Sequence, residues 1–544
     1  MAIWSLEGKK ILIIDDFAEM RSTLRGMLAS YGANDISMAS NGEDAVDMIC
    51  RKNFDIILCD YNLGDGKDGQ QILEEVKLRG KLRYSTVFIM VTAESTSFMV
   101  MGALEHQPDD YLSKPFTRTV LQNRIKKLLD KKSSLKKLAK ALDQSNIEAA
   151  IELCDEEINN APHYRHEFLK LKCELLINEH RFDEASKICN EVIAERELSW
   201  ARFNLGKILF LQQHYAEAEA LFQAIIGENP NYISAYDWLA RCQEQLGQTE
   251  KAQQSLELAI EKSPKSIIRQ RTLADVSEQN RDYETAERAR KKVIRFAKNS
   301  VLREATDFTN LANILVVNDN SKEALRTVEQ LKYEFKNDPQ AKLAAALARG
   351  KIYAELDNQA GSQAAIEEAA ELLSQQRCQF SNELAMELTE AFLKHDKADA
   401  ANMVVTQLVT NNHDNQALLD KVNTIYQESG TEHNVESALA DIRKEIASTN
   451  NKGVALLEDG NLEESIALFE EALQRGPDNQ VLNINTAQAY IMLLKKKGAD
   501  KGILDKVRHC LDKTQHNEKL HQRHKKLNAA YWEIINNTTT TGPI

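Results

Sequence analysis

Proline and glycine are scarce in this sequence, and both shortages constrain the fold. The 544 residues include 8 prolines and 21 glycines. Because these residues interrupt helices and serve the turns of β-rich domains, their scarcity favours long helices and disfavours a large β-sandwich. A chain of this length exceeds a single hydrophobic core, so we expect roughly two to four domains.

Paired cysteines and long apolar runs are also missing. The eight cysteines form no CxxC pair, which argues against a zinc cluster or a disulfide framework and suits a reducing compartment. No apolar run approaches the ~18 residues that a membrane span needs, and the first ten residues lack the charged-then-apolar order of a signal peptide. We therefore expect a cytoplasmic protein with no membrane span.

Basic charge is in deficit outside the N-terminal quarter. The formal net charge is −13, but residues 1–132 hold 18 basic and 19 acidic residues, so the remainder carries −12. A nucleic-acid-binding surface must be basic in order to neutralise phosphates. The acidic remainder argues against a nucleic-acid partner, and so against a transcription factor.

Short apolar runs alternate with amphipathic stretches in residues 1–131, which we assign to a first domain. The strands are predicted at Lys10–Ile14, Asp35–Ala39, Phe54–Cys59, Thr86–Thr92 and Asp110–Ser113. Five strands alternating with five helices predict an α/β fold with a doubly wound, five-stranded parallel sheet. In such a sheet the functional site lies at the carboxyl ends of the strands.

Polar residues follow the predicted strands at that edge. Asp15 and Asp16 end the first strand, Asp60 ends the third, and Thr92 and Lys114 come at the ends of the last two. Carboxylates held near one point repel each other and create a site for a hard cation that prefers oxygen ligands. We expect this cation to be Mg²⁺.

Four short strings resemble the receiver domains of two-component signalling, most closely the single-domain chemotaxis regulator. They are Asp15-Asp16-Phe17, Asp60-Tyr61-Asn62, Thr92-Ala93-Glu94 and Lys114-Pro115-Phe116, and the resemblance covers about a quarter of the chain. It implies a flavodoxin-like receiver in which Asp60 accepts a phosphoryl group from a sensor histidine kinase or phosphotransfer protein. It also implies that Asp16 ligates Mg²⁺ directly, Asp15 through water, and Asn62 through its backbone carbonyl.

The same resemblance implies roles for the remaining residues of the site. Lys114 compensates phosphoryl charge and precedes a cis bond to Pro115, while Thr92 and the adjacent Ala93 belong to the phosphoryl-binding switch. Tyr111 swings inward when Thr92 binds the phosphoryl group. A pseudo-receiver that kept its acids for structural reasons is the alternative.

The loop after Asp60 departs from the family pattern. Gly64 stands where the family usually has proline, and the loop is one residue longer before the next Asp-Gly turn. We therefore expect this loop to be more mobile, which makes the lifetime of the phosphoryl group uncertain.

A period of 34 residues marks the region after residue 134. It relates Gly206 to Ala240, Ala218 to Ala252, Phe222 to Leu256, and Pro230 to Pro264. This register resembles tetratricopeptide repeats, which implies an all-α superhelix, or α-solenoid, with a concave groove that binds protein. We assign repeats to 135–300, divergent helical repeats to 301–446, and further repeats with a capping helix to 447–536. An unrelated helical domain is the alternative for the middle segment.

The concave groove offers candidate binding residues of mixed aromatic and basic character. By register they are Trp200, Phe203, Lys207, Phe210, Trp238 and Arg241. Such a mixture suits an extended peptide or a partner helix of an unknown protein target. The alternative is that the aromatic side chains pack between repeats.

These patterns favour a phosphorylation-switched adaptor over an enzyme, because the repeats contain no catalytic or nucleotide-binding constellation. The alternative within the same class is a scaffold whose repeats bind partners constitutively. The connection between the receiver and the repeats is short and lacks glycine and proline. It predicts that the face formed by residues 111–115 stays close to the first repeats.

Overall fold

The computed structural model describes residues 4–93, 108–143, 146–160, 162–375, 380–412, 415–429, 435–515 and 517–539. The chain forms two compact units, residues 1–318 and residues 319–544. Within the described ranges, no helix combines the length and apolar character required to cross a membrane.

The first unit begins with a parallel sheet in the strand order β2-β1-β3-β4-β5. Its strands are β1 (Lys10–Ile14), β2 (Asp35–Ala39), β3 (Ile56–Asp60), β4 (Val87–Thr92) and β5 (Asp110–Ser113). Helices α1 (Ala18–Ala29), α2 (Gly42–Arg51), α3 (Gly69–Leu78) and α4 (Arg118–Ser134) accompany them. The predicted fold class is confirmed, and the helix expected between β4 and β5 falls mostly in 94–107, outside the described residues.

Alternation along the strands explains the two apolar layers of this domain. Leu12 and Ile14 of β1 pack with residues of α2 and α3, whereas Ile11 and Ile13 pack with residues of α1 and α4. Because successive side chains point to opposite faces, one continuous apolar run covers both sides of the sheet. The polar residues that end these runs are left at the carboxyl edge.

The remainder of the first unit consists of helices. They are α5 (Lys136–Asp143), α6 (Ile147–Asn160), α7 (Arg165–Asn178), α8 (Phe182–Glu195), α9 (Ser199–Leu211), α10 (Tyr215–Glu228), α11 (Ile233–Gln245), α12 (Thr249–Lys262), α13 (Ile267–Gln279), α14 (Tyr283–Ala297) and α15 (Thr306–Val317). A side chain at Gly206 would lie 2.8 Å from the ring of Phe222. The small residue therefore lets the two helices of a pair approach closely.

The second unit is also helical. Its helices are α16 (Ser321–Glu334), α17 (Pro339–Glu355), α18 (Gln359–Gln375), α19 (Asn382–Lys394), α20 (Ala398–Asn411), α21 (Gln416–Glu428), α22 (Val435–Glu458), α23 (Leu462–Arg475), α24 (Gln480–Lys497), α25 (Lys501–Thr514) and α26 (His521–Thr539). Gly350 packs on Ile366, and Gly453 packs on Phe469. Both pairs repeat the 16-residue spacing of Gly206 and Phe222. This packing therefore recurs in the divergent segment, at Gly350, and in the C-terminal segment, at Gly453, although the domain boundaries assigned above stay predictions.

Candidate functional site

Three carboxylates meet at the carboxyl edge of the sheet. Asp15 and Asp16 follow β1, Asp60 ends β3, and each offers an oxygen within 4.8 Å of the others. The buried Asp16 Oδ1 has no hydrogen-bond partner among the described residues. An orphaned carboxylate oxygen beside two further acids is a donor set that fits a divalent cation with a preference for oxygen.

Lys114 compensates part of this negative charge. Its Nζ lies 2.9 Å from Asp15 Oδ2 and 3.2 Å from Asp60 Oδ1. Burial alone would lower the pKa of Lys114, but its bonds to the two carboxylates outweigh burial and raise that pKa. The ammonium group therefore stays charged at the site, and the peptide bond from Lys114 to Pro115 is cis.

The carboxyl group of Asp60 lies in a less polar environment than an exposed acid. Burial disfavours its charged form and raises its pKa from 3.8 to about 6, against the opposing attraction of Lys114. The backbone N–H of Tyr61 donates to Asp60 Oδ1 at 3.0 Å. Asp60 is thus oriented by its neighbours while remaining costly to ionise without further positive charge.

Two supports of this site have no clear signal in the sequence. Arg21 Nη1 donates to the carbonyl oxygens of Asp15 and Asp16 at 2.6 and 3.0 Å, which fixes the backbone at the end of β1. Gly69, the first residue of α3, lies so close to Asp60 that a Cβ would stand 2.3 Å from its carbonyl oxygen. Only glycine fits where α3 begins against the end of β3.

The predicted switch residues lie on or directly after β4 and β5. Thr92 is buried at the end of β4, opposite Ser113 of β5, and Ala93 follows it at the surface. The buried hydroxyl of Tyr111 has no hydrogen-bond partner among the described residues. Burial raises the pKa of Tyr111, and the nearby Tyr61 raises it further. The ring packs against the apolar core that includes residues of α2 and α3.

The structure explains why Gly64 replaces the usual proline. Its φ of +72° is a left-handed conformation that the ring of proline cannot adopt. The loop is also held from within, because Lys67 Nζ lies 3.8 Å from Glu43 and 3.6 Å from the buried Glu75. The exposed Asn62 lies in this loop.

Comparison with known proteins agrees with this geometry. Residues 11–126 match the response regulator receiver domain. The chemotaxis protein CheY of Pseudomonas aeruginosa is 34% identical over 122 residues, which are 22% of this chain and 97% of that protein. CheY-3 of Vibrio cholerae is 30% identical over 125 residues, 23% of this chain and 95% of that protein.

The chain belongs to the response regulators. Tetratricopeptide repeats match residues 209–276 of this response regulator, and also residues 175–233 and 444–480. A solved tetratricopeptide repeat protein from Parabacteroides merdae is 14% identical and covers 48% of this chain and 98% of its own, with a TM-score of 0.31. The family matches alone show that the response regulator joins a receiver domain to a repeat region.

The groove candidates of the response regulator are largely engaged in packing. Phe203 contacts Phe222 edge to face at 5.7 Å between ring centroids, and Phe210 contacts Trp238 at 5.3 Å. Trp200 packs against the core of the preceding helices. These aromatic side chains are therefore engaged in packing within and between helix pairs.

The basic candidates lie on one of those rings. Lys207 Nζ and the Arg241 guanidinium stand 5.6 and 4.7 Å from the ring centroid of Trp238. Arg241 is exposed, whereas burial lowers the pKa of Lys207. Binding of a peptide by this group stays a prediction.

Proposed function

We propose that this response regulator is phosphorylated on Asp60 and that its repeats bind protein partners in a phosphorylation-dependent way. The observation that carries the proposal is the convergence of Asp15, Asp16, Asp60 and Lys114 at one edge of the sheet. Three acids and one lysine combine a nucleophile, a cation site and charge compensation within one cluster.

The chemistry follows from these positions. An Asp60 carboxylate oxygen attacks the phosphorus, a new O–P bond forms, and the bond from phosphorus to the donor's nitrogen or oxygen breaks. Lys114 compensates charge on the transferred oxygens, and Thr92 donates a hydrogen bond to the acyl phosphate. Mg²⁺, held by Asp15, Asp16, Asp60 and the Asn62 carbonyl, would neutralise charge on the phosphoryl group.

The partners in this proposal are proteins. A sensor histidine kinase or phosphotransfer protein supplies the phosphoryl group, and a protein target occupies the repeat groove. The repeats bind rather than catalyse, and the protein acts in the cytoplasm. The engaged aromatic rings leave the exposed basic group of Arg241 as the groove candidate best suited to an acidic segment of that target.

Labelling with acetyl phosphate and Mg²⁺ tests the acceptor. We expect Asp60→Asn to abolish incorporation and Asp65→Asn to retain it, because Asp65 is exposed in the adjacent loop and lies outside the acid cluster. Equal labelling of wild type and Asp60→Asn would contradict the proposal.

Partner capture with and without beryllium fluoride, a phosphoryl mimic, tests the output. The proposal predicts different capture by the intact wild type in the two conditions and identical capture by Asp60→Asn. Wild-type capture that ignores the mimic would instead favour a scaffold that binds its partners constitutively.

A further inference from the structure

Tyr84 and Lys131 of the receiver contact Asp143 and Glu167 near the start of the repeats. The receiver also meets the repeats through the loop that follows the acceptor aspartate, and this second contact forms an interface. On the receiver side the interface consists of Tyr61, Gly66, Gln71 and Glu74. On the repeat side it consists of Lys265, Phe296, Asn299 and Ser300. All eight residues belong to the first compact unit, and we call them the receiver–repeat interface. The short connection after α4 predicts that the 111–115 face lies close to the first repeats, and that placement stays a prediction.

Gln71 joins the start of α3 to the repeats through a single amide. Its Oε1 accepts from the backbone N–H of Asp68 at 3.1 Å, while Asp68 Oδ1 accepts from the N–H of Gln71 at 2.8 Å. The other end of the amide, Nε2, donates to the carbonyl of Phe296 at 3.1 Å. The group that caps α3 is therefore also a group that binds the repeats.

Asn299 holds the middle of the loop whose ends the receiver fixes. The N–H of Gly69 donates to the carbonyl of Tyr61 at 2.9 Å, which closes the loop at its base. Asn299 Nδ2 donates to the carbonyl of Gly66 at 2.6 Å. Residues 62–68, which include Asn62 and Gly64, are thus fixed at both ends by the receiver and at their centre by the repeats.

Two further contacts flank these bonds. Lys265 Nζ lies 3.5 Å from Tyr61 Oη and 5.2 Å from the centroid of the Tyr61 ring. The backbone N–H of Tyr61 in turn donates to Asp60. Ser300 Oγ donates to Glu74 Oε2 at 3.0 Å. A cavity of about 280 Å³ at the interface is lined by Asn62 and Gly64 from the receiver and by Ser266 and Phe296 from the repeats.

We propose that Gln71 and Asn299 are positioning residues for the phosphoacceptor site. Through them the repeats hold the 62–68 loop in the arrangement in which Asn62 contributes to the cation site. The intact chain therefore binds Mg²⁺ and a phosphoryl mimic more tightly than a chain in which these bonds are cut. This inference rests on the proposed function and adds its regulation by the repeats.

The composition of the loop explains why such support matters. Gly64 and Gly66 both have positive φ, and glycine-rich backbone loses much conformational entropy when it is ordered. Bonds that order the loop beforehand remove that cost from ligand binding. Thermodynamic coupling is reciprocal. If the receiver–repeat interface increases the affinity for ligand at Asp60 by some factor, ligand at Asp60 must stabilise that interface by the same factor.

Isosteric variants of the full-length chain separate positioning from folding. Gln71→Glu keeps the oxygen that caps α3 but removes the donor to Phe296, and Asn299→Asp removes the donor to Gly66. Asn299→Ala makes the second change without adding charge. Gln223→Glu is the matched control, because Gln223 is exposed on α10 and its amide donates to Glu219.

Calorimetric titration with Mg²⁺, alone and with beryllium fluoride, is the measurement, and a thermal melt accompanies it. We expect each interface variant to bind Mg²⁺ about five- to twentyfold more weakly, a typical allosteric coupling. Gln223→Glu should bind as the wild type does. The added negative charge in the two acidic variants would by itself strengthen cation binding, so weaker binding reports loss of positioning.

Hydrogen exchange supplies the reciprocal readout. In the wild type, Mg²⁺ with beryllium fluoride should increase protection of residues 296–300, and Asn299→Ala should remove that increase. Unchanged or tighter Mg²⁺ binding by the interface variants would overturn the positioning role while leaving the proposed function intact. Failure of the wild type itself to bind Mg²⁺ or the mimic would overturn both.

Discussion

The receiver site and the repeat groove differ in what their key side chains do. In the receiver, Asp15, Asp60 and Lys114 make their principal contacts with one another, at an edge where the sheet topology leaves them. In the repeats, Phe210 and Trp238 contact one another as part of the packing between helix pairs. The polar residues of the receiver site are therefore distinct from the residues of the receiver's apolar core. The aromatic rings of the groove are themselves part of the packing of the repeats.

This difference separates two kinds of experiment. Changes to the receiver acids should weaken ligand binding without weakening the fold, because removing one of several clustered like charges relieves repulsion. Changes to the groove rings should alter folding first, because each ring fills space between repeats. The comparison would be wrong if changes to the acids mainly impaired folding, or if changes to the rings impaired ligand binding and left folding intact.

The largest effect is expected on metal binding. Asp16→Asn removes a carboxylate whose Oδ1 is buried without a hydrogen-bond partner among the described residues. We expect a loss of Mg²⁺ affinity of about tenfold to hundredfold, the scale of changes around metal ligands. Calorimetric titration measures it, with Asp35→Asn on the exposed start of β2 as the control. Equal Mg²⁺ affinity in wild type and Asp16→Asn would exclude this residue as a ligand.

A large effect on folding is expected in the repeats. Trp238→Ala removes a half-buried ring that contacts Phe210 and stacks on Phe222, and we expect a loss of about 2 kcal/mol in the free energy of unfolding. Urea unfolding followed by circular dichroism measures it. Trp238→Phe should recover part of the loss, and a stability equal to wild type in Trp238→Ala would show that the ring is free for a ligand.

Removing the charge of Asp60 should stabilise the fold in the absence of Mg²⁺. The pKa of Asp60 is 3.8 ordinarily and about 6 in the folded chain. An acid with a raised pKa favours folding while protonated, and that contribution is lost as the pH rises from about 4 to above 6. Asp60→Asn should therefore be more stable than wild type at pH 7.5 by about 1–2 kcal/mol, a value reduced for residual solvent screening.

Thermal melts in a metal chelator across this pH range measure the difference. It should shrink towards zero near pH 4, where both side chains are neutral. A wild type that is the more stable protein at pH 7.5 would show that the acid cluster contributes to folding, as in a structural pseudo-receiver.

The smallest effect on folding is expected at the edge of the groove. Arg241→Ala removes an exposed guanidinium that lies over Trp238, so stability should change by less than about 0.5 kcal/mol. Arg241→Ala should capture less of an acidic protein target than wild type does, and the difference should be larger at low salt, where attraction between charges is less screened. A loss of stability as large as that of Trp238→Ala would place Arg241 in the core as well.

The features that could be predicted from the sequence are those fixed by the order of the strands and by the period of the repeats. The five strands, the convergence of Asp15, Asp16 and Asp60, and the close approach at Gly206 all follow from local patterns that every repeat or strand must satisfy. Residues whose role depends on a particular neighbour carried no such pattern. Arg21 reaches the backbone of the acids, and Asn299 meets Gly66 across 233 residues of chain.

The groove candidates were chosen by register, and their role in binding a partner stays a prediction. Register predicts which side chains lie on the inner helices, but it does not distinguish a ring that faces a ligand from one that faces the next repeat. Only the three-dimensional structure shows that Phe210 and Trp238 contact each other. At Gly64 the sequence was more informative. The departure from the family's usual proline there coincides with a positive φ in the structure.

Chemical trapping of the modified residue tests the central claim most directly. The intact protein is incubated with acetyl phosphate and Mg²⁺ and then reduced with borohydride, which converts an aspartyl phosphate to homoserine. The account predicts homoserine at position 60 in wild type and in Asp65→Asn, and none in Asp60→Asn. Homoserine at another acid of the wild type, or a phosphoryl group that survives borohydride on a different kind of side chain, would contradict it.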